Sequence, residues 1–216
     1  MVEIFEKIRP AIPETLMMVF VSSFLAMLFG IPLGIILYIT KKDGLSENSL
    51  LYAVLDGIIN ILRSLPFVVL MLLVFPLSKL IVGKRIGTEA AIVPLTVSAI
   101  PFVARLMEGY FNEVDNGIIE AAKSMGSNTY TIVTKVLLKE ALPQIINGIT
   151  MTIINIIGMS AVAGMIGGGG LGDIAIRYGY QRNQMDVLWG SCIAIVLMVQ
   201  LVQFFGNNLS KAINKK

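Results

Sequence analysis

Three long segments of this chain contain no charged residue, and each is long enough to cross a lipid bilayer. They are residues 15–40, 141–172 and 187–210. A transmembrane helix needs about 20 mainly apolar residues. Water cannot satisfy backbone groups inside the hydrocarbon core, so each span has to form its own hydrogen bonds, and these runs are much longer than membrane-barrel strands. The sequence therefore predicts an all-α integral membrane protein.

The composition of the whole chain supports this class. Of its 216 residues, 56% are hydrophobic and only 14% are charged, whereas soluble domains carry about 25% charged residues. The net charge of +3 is explained by basic residues in loops that lie near lipid headgroups, rather than by nucleic-acid binding. We therefore expect membrane lipid, and no nucleic acid, among the partners of the chain.

The chain is poor in residues that carry metal and redox chemistry. Its single cysteine, Cys192, lies within an apolar run, and the sequence contains no histidine. These counts argue against a disulfide, a thiolate metal cluster and histidine-based catalysis. We expect neither a metal nor a cofactor, and no catalytic residue.

Two further spans are predicted between the charge-free runs, at about residues 57–78 and 88–107. Arg63 is expected near the cytoplasmic end of the first of these, where its long side chain can reach the interface. Pro94 and Pro101 lie inside the second and predict a broken helix, which neighbouring helices can compensate. The sequence therefore predicts five transmembrane helices in all.

One domain accounts for the chain. We assign residues 15–210 to this transmembrane domain, residues 1–14 to an N-terminal lead-in and residues 211–216 to a C-terminal tail. Residues 173–186 are polar and aromatic and predict an exposed loop. In the first span, small or helix-bending residues predict a kink or the close approach of a neighbouring helix. They are Gly30, Pro32 and Gly34.

A polar stretch at residues 109–140 separates the third span from the fourth, and it contains Glu120-Ala121-Ala122-Lys123-Ser124-Met125-Gly126. This stretch predicts a short surface helix. Asp115 or Asn116 can cap its N-terminus, and Glu120 lies near the positive end of its dipole. Gly126 can adopt the left-handed conformation that ends a helix.

Helical spacing places Ile118, Ile119, Ala122 and Met125 on one apolar face of this short helix. A second helix is predicted over residues 129–140, and Pro143 interrupts the pattern after it. Its cap is provided by one of two polar residues, Ser127 or Asn128.

No segment fits the phosphate-binding pattern G-x-x-x-x-G-K-[ST], so an ATP-driven function would require a second polypeptide. The run Gly167–Gly172 formally contains G-x-G-x-x-G, but it follows a predicted transmembrane helix rather than a strand. We therefore interpret it as a flexible helix end or a close helix crossing.

Four segments together resemble the permease subunits of ATP-binding-cassette (ABC) methionine importers, a small five-span type I subfamily. Glycine-betaine permeases are similar around GGGGLGD. The four segments are RSLPFVVLM (Arg63–Met71), AAIVPLTVSAIPFVARLMEGYFNEV (Ala90–Val114), EAAKSMG (Glu120–Gly126) and GGGGLGDIAIRYGY (Gly167–Tyr180).

The resemblance implies the type I ABC-importer permease fold in a bacterial inner membrane, with residues 109–140 in the cytoplasm. The short helix would then be a coupling helix that sits in a groove on an ATPase. The residues implied to couple the permease to that ATPase are Glu120, Ala121, Ala122, Gly126 and Pro143. Lys139 stands where family members commonly carry a proline, so the helix leaving the loop is expected to continue further before it bends.

The implied function is ATP-driven import of methionine by alternating access, with D-methionine left open as a substrate. ATP hydrolysis would occur on a separate subunit, so the chain itself is not an enzyme. The implied partners are a second copy of this chain, two ABC ATPase subunits and an extracytoplasmic substrate-binding protein or lipoprotein. The resemblance also puts the N-terminus outside, an orientation in which ten of the 17 lysines and arginines lie inside.

Three alternatives stay open on the sequence alone. The chain could be a type I permease for another small solute such as glycine betaine. It could be an ion-coupled carrier that works alone, although no carboxylate lies deep in a predicted span and no inverted repeat is visible. It could also be a structural subunit that transports nothing.

Overall fold

The computed structural model describes residues 2–213, which are almost entirely helical and contain no strand. Lys215 and Lys216 of the predicted C-terminal tail lie outside the described residues. The helices are α1 (Val2–Ile8), α2 (Ala11–Thr40), α3 (Ser49–Ser64), α4 (Phe67–Val82), α5 (Thr88–Asn112), α6 (Asn116–Ser124), α7 (129–140), α8 (Leu142–Ala163), α9 (170–180) and α10 (Met185–Ile213). The middle of α7, Ile132–Leu137, and the second half of α9, Ala175–Tyr180, are π-helical.

Helices α2 and α5 run parallel and pack closely through two glycines. An ideal Cβ built on Gly30 would lie 2.6 Å from Cβ of Val103, and one on Gly34 would lie 2.5 Å from Cβ of Met107. Ser22 donates a hydrogen bond to the carbonyl of Ile92 at 3.3 Å. The paired residue numbers rise together, so both helices end on the same side of the membrane. The predicted close approach at Gly30 and Gly34 is confirmed, and Pro32 leaves α2 unbroken.

The second span is not the straight helix predicted over residues 57–78. Helices α3 and α4 meet at an angle of 111°, because Leu65 and Pro66 between them both have extended backbones. A residue before proline is driven out of the helical region, and proline cannot continue a preceding helix. Among its described residues, only Ile59 of α3 is buried. Four single helices and this bent pair make up the predicted five spans.

The third span is longer and more regular than predicted. Helix α5 continues without a break from Thr88 to Asn112, and both Pro94 and Pro101 are buried inside it. The predicted break is therefore wrong. Burial of the two prolines among neighbouring helices is the setting in which intramembrane proline is tolerated.

The predicted polar loop at residues 173–186 is also wrong, because most of it belongs to α9. Helix α8 is followed by a kinked segment, Gly164–Gly168, in which Ile166 and Gly167 have non-helical backbone angles, and only residues 181–184 connect α9 to α10. Helix α8 runs antiparallel to α5, since Gly148 lies against Tyr110 and Ser98 lies against Met159.

The buried core follows α5 through the centre of the bundle. Leu95, Ala99, Val103, Met107 and Phe111 are all fully buried there. Large apolar side chains on the outer faces of α2 and α10 remain exposed, as expected for helices whose solvent is lipid. This arrangement brings the ends of α5, α6, α7 and α8 together on one side of the membrane.

Candidate functional site

The short helix predicted around Glu120 is α6, and Asp115 caps its N-terminus. The Oδ1 atom of Asp115 accepts a hydrogen bond from the backbone N–H of Gly117 at 2.7 Å. This bond satisfies one of the donors that every helix start leaves unpaired. Of the two predicted caps, the structure selects Asp115.

The C-terminus of α6 is closed by a Schellman motif centred on Gly126. Gly126 has a φ of +78°. Its N–H donates to the carbonyl of Lys123 at 2.9 Å, and the N–H of Ser127 donates to the carbonyl of Ala122 at 3.1 Å. Only the positive φ demands glycine, because no atom lies within 4 Å of an ideal Cβ at this position. The predicted role of Gly126 as a helix end is confirmed.

One side of α6 is buried against α7 and the end of α5. Ile119 and Ala122 of α6 belong to the same buried cluster as Phe111, Ile132 and Val133. Burial of these side chains fixes the position of α6 relative to the transmembrane helices. The short helix is therefore held at both ends and along one side.

The other side of α6 is open to solvent and partly apolar. Glu120 and Ala121 are exposed, Ile118 is 40% exposed and Met125 is 79% exposed. Of the four residues predicted to form one apolar face, only Ile119 and Ala122 are buried. The apolar face of this helix is wider than the surface with which it packs against α7, so Ile118 and Met125 remain exposed.

Helix α7 joins α6 to the fourth span. Asn128 caps it, since its Oδ1 accepts a hydrogen bond from the N–H of Thr131 at 2.8 Å. The helix continues through Lys139 and is interrupted only at Ala141, as expected for a chain without proline at position 139.

Pro143 lies in the first turn of α8, where a missing N–H costs nothing. Its carbonyl accepts a hydrogen bond from the hydroxyl of Ser210 on α10 at 3.3 Å. Glu120, Ala121, Ala122 and Gly126 thus lie together on α6, while Pro143 lies beyond α7 at the base of α8.

A charged cluster joins α3 to α5 near the side of the membrane where α6 lies. It was not predicted from the sequence. Arg105 pairs with Asp56, and its guanidinium also donates to the carboxylate of Glu108 at 2.7 Å and to the side-chain amide oxygen of Asn60 at 3.0 Å. The hydroxyl of Tyr52 donates to the second oxygen of Glu108 at 3.1 Å. The i,i+3 spacing of Arg105 and Glu108 and the i,i+4 spacing of Asp56 and Asn60 were the available signals.

Lys41 ties the end of α2 to the end of α5. Its ammonium donates to the side-chain carbonyl of Asn112 and lies 4.4 Å from the centre of the Tyr38 ring. Partial burial lowers the pKa of Lys41, and the negative charge of Glu108 opposes that shift. The two parallel helices are therefore fastened together just before α6.

The opposite side of the membrane has a polar clamp built around the glycine-rich run. The carboxylate of Glu14 accepts a hydrogen bond from the N–H of Gly170 at 2.7 Å, and the hydroxyl of Thr15 accepts one from Leu171 at 2.9 Å. These bonds cap the start of α9. The predicted lead-in at residues 1–14 thus includes the start of α2, and the interpretation of the glycines as a close crossing is confirmed by Gly172, where a Cβ would lie 2.2 Å from the carbonyl of Ala161.

Comparison with known proteins identifies this architecture. Residues 30–216 match the family described as "Binding-protein-dependent transport system inner membrane component". The chain belongs to this family of membrane-spanning transport subunits, which agrees with the predicted location in an inner membrane and with the prediction that it is not an enzyme.

Individual relatives are similar over most of their length. The chain is 48% identical to the probable D-methionine transport system permease protein MetI of Vibrio cholerae, over 94% of this chain and 90% of the relative. It is 42% identical to the methionine import system permease protein MetP of Bacillus subtilis, over 84% of this chain and 82% of the relative.

A solved structure of the MetNI methionine ABC transporter, in a native crystal form with inward-facing conformations, matches with a TM-score of 0.94. The match has 42% identity and covers 96% of both chains. This match confirms the predicted type I ABC-importer permease fold.

Proposed function

We propose that this chain is the permease subunit of an ATP-driven methionine importer. The observation that carries the proposal is the match over 96% of both chains to a methionine ABC transporter, supported by relatives named as methionine or D-methionine permeases. The chain would provide the membrane pathway and would carry out no bond chemistry.

The proposed assembly contains two copies of this chain, two ABC ATPase subunits on the cytoplasmic side and an extracytoplasmic binding protein or lipoprotein that delivers the substrate. ATP binding would close the ATPases and displace the two α6 helices. The permeases would then turn from inward-facing to outward-facing, and hydrolysis would reset them.

The geometry of α6 suits this task. A helix that transmits force to a membrane domain has to be held rigidly on one side and accessible on the other. Ile119 and Ala122 supply the buried side, while Ala121, Ile118 and Met125 offer an accessible apolar surface. We assign Glu120, Ala121, Ala122 and Gly126 to ATPase coupling, with Glu120 and Ala121 on the exposed surface, Ala122 on the side that holds the helix in place and Gly126 at its end.

Pro143 has a different place in the proposed coupling. It starts the helix that receives the displacement, and its contact with Ser210 extends that displacement to α10. Movement of α6 would therefore reach two transmembrane helices at once.

Two measurements test the proposal. We expect the tagged chain, gently solubilised from its own host, to bring down an ABC ATPase in a one-to-one ratio. We also expect cells to take up radiolabelled methionine in a manner that depends on the chain, with competition by unlabelled methionine and none by glycine betaine. Competition by D-methionine in the same assay defines the stereochemical range.

Two variants of α6 and one control variant test whether the pull-down depends on this helix. Lys123→Glu and Met125→Glu both add negative charge to the exposed part of α6, and both should reduce recovery of the ATPase. Lys84→Glu, in the loop at the opposite side of the membrane, should leave that recovery unchanged. A chain that purifies alone, or betaine uptake in place of methionine uptake, would overturn the proposal.

A further inference from the structure

Two clefts of opposite character lie on the two sides of the helix pair α8 and α10. The first, here called the apolar groove, has a volume of about 430 Å³, and its lining includes Val19, Phe20, Ile149, Ile153, Leu201 and Phe205. The second, here called the amide cleft, has a volume of about 650 Å³, and its lining includes Phe102, Asn147, Met151, Asn155, Gln203 and Asn207. Four of those six residues carry a side-chain carboxamide, whereas the apolar groove contains none.

The carboxamides form two aligned rows. Asn147 and Asn155 lie at i and i+8 on α8 with Met151 between them at i+4, and Gln203 and Asn207 are spaced i,i+4 on α10. Each of these side chains is exposed or half-exposed. The row on α8 reaches far into the membrane, because Asn155 lies 13 residues beyond Leu142, or about 20 Å along the helix axis.

Carboxamides at this depth are poorly suited to hydrocarbon. An amide group in contact with lipid tails loses its hydrogen bonds to water and gains no replacement. Polar side chains inside membrane spans accordingly face a water-filled cavity or another protein surface. The apolar groove on the other side of the same two helices has the composition expected for contact with lipid. The two sides of the pair α8 and α10 therefore face different environments, lipid at the apolar groove and water or protein at the amide cleft.

We propose that the amide cleft is a water-filled inner part of the transport pathway, and that its carboxamides bind the charged ends of a small zwitterion on its way to the cytoplasm. This inference rests on the proposed function and adds a binding site to it. A carboxamide both donates and accepts hydrogen bonds, so the same set of residues can bind an ammonium and a carboxylate.

The lining also limits what the cleft binds. No charged residue lines it, so a ligand with a net charge would find no compensating partner. Phe102, Met151 and Ile154 offer apolar contacts to the side chain of the ligand, and methionine is especially adaptable in such contacts. A volume of about 650 Å³ falls within the range of small-molecule sites. The absence of charge also keeps binding weak, which favours release.

Thiol accessibility tests this assignment on the complete transporter in inside-out membrane vesicles. The background variant is Cys192→Ser, since Cys192 is the only cysteine. Asn155→Cys and Gln203→Cys introduce thiols into the amide cleft. Ile153→Cys and Leu201→Cys, two residues away on the same helices, introduce thiols into the apolar groove. The probe is a charged, membrane-impermeant methanethiosulfonate, which reacts with the thiolate and therefore needs water at the site.

We expect the two thiols of the amide cleft to react at least tenfold faster than the two of the apolar groove. We also expect an excess of methionine to slow the reaction at Asn155→Cys at least threefold. Equal rates at all four positions would overturn the water-filled pathway, and fast labelling without protection by methionine would overturn the binding site.

Uptake measurements separate this inference from the proposed function. Asn155→Leu should lower methionine uptake at least fivefold, Ile153→Leu should leave it within twofold, and Asn155→Gln should restore at least half of it. The amount of chain in the membrane and the recovered ATPase should be unchanged in all three. Full uptake by Asn155→Leu would overturn the binding site and leave the importer proposal intact, whereas a wild-type chain without methionine uptake would overturn the importer proposal itself.

Discussion

Asp56 on α3 forms an ion pair with Arg105 on α5, and the same guanidinium contacts Glu108 at 2.7 Å. Glu108 is only 5% exposed, so its charge depends on Arg105 for compensation. The pair also connects α3, most of whose residues are exposed, to the central helix of the bundle. Helix α5 leads directly into α6, and the charged cluster therefore braces the base of the proposed coupling helix.

Replacing Arg105 should destabilise the chain strongly. Arg105→Met removes the cation in direct contact with the buried carboxylate of Glu108, a change that costs about 3 kcal/mol. We expect the thermal unfolding midpoint of the purified chain, followed through its single tryptophan, to fall by about 6 °C or more.

The matched control is Lys84→Met. Lys84 pairs with Glu89 at 2.7 Å, but both side chains are 51% exposed, and exposed pairs contribute little. Its midpoint should stay within about 2 °C of the wild type. Equal shifts in the two variants would show that Glu108 does not depend on Arg105.

Gly172 should tolerate no side chain. A Cβ at this position would lie 2.2 Å from the backbone carbonyl of Ala161, and a backbone atom cannot move aside as the end of a flexible side chain can. Gly172→Ala should therefore reduce the amount of folded chain recovered in a monodisperse chromatographic peak at least fivefold. Gly109→Ala is the control, since no atom lies within 4 Å of a Cβ there and alanine is the better helix former. Similar yields would contradict the close crossing of α8 and α9.

Substitutions on the two sides of α6 should have different effects, because the buried side contributes to stability and the exposed side to the proposed ATPase contact. Ile119→Ser removes buried apolar surface and should lower the unfolding midpoint. Met125→Ser changes a side chain that is 79% exposed and should leave the midpoint unchanged while it lowers the amount of ATPase recovered with the chain. A pull-down and a melting curve on the same preparations provide the measurement. Loss of stability without loss of ATPase in Met125→Ser would contradict the proposed contact.

Gly126 offers a graded series, because space around it is open and only its φ of +78° is demanding. Asparagine adopts this conformation more readily than other side chains, and a β-branched residue does so least. Gly126→Asn should therefore retain more methionine uptake than Gly126→Val, with equal amounts of both in the membrane. The reverse order would mean that the size of the side chain, and not the backbone conformation, determines how much uptake is retained.

The features that depend on local chemistry could be predicted from the sequence. Long charge-free runs identify the spans because a bilayer imposes a minimum length. Asp115, Gly126 and Asn128 were identified as candidates for helix ends because caps act within three residues of the chain. The close packing at Gly30 and Gly34 followed from side-chain size alone.

The features that depend on distant partners were not predictable in the same way. The bend at Leu65 and Pro66 was missed because the apolar run continues through it, and the helical nature of residues 173–180 was missed because their polar and aromatic side chains suggested a loop. The start of α9 is stabilised by Glu14 and Thr15, which are 156 residues away along the chain from the groups they bind. The charged cluster around Arg105 likewise combines residues from two helices that are not adjacent in sequence.

The clamp at Glu14 has a consequence for how such a protein opens. Besides the two bonds to α9, the N–H of Gly87 before α5 donates to the carbonyl of Gly167 at 2.9 Å. The ends of α2, α5 and α8 on this side of the membrane are thus joined through two side-chain acceptors of α2 and one backbone hydrogen bond, at a corner where glycines leave no room for a side chain. These bonds oppose separation of the three helices at that end, so in the proposed dimer we expect access from outside to require rotation of one whole subunit relative to the other.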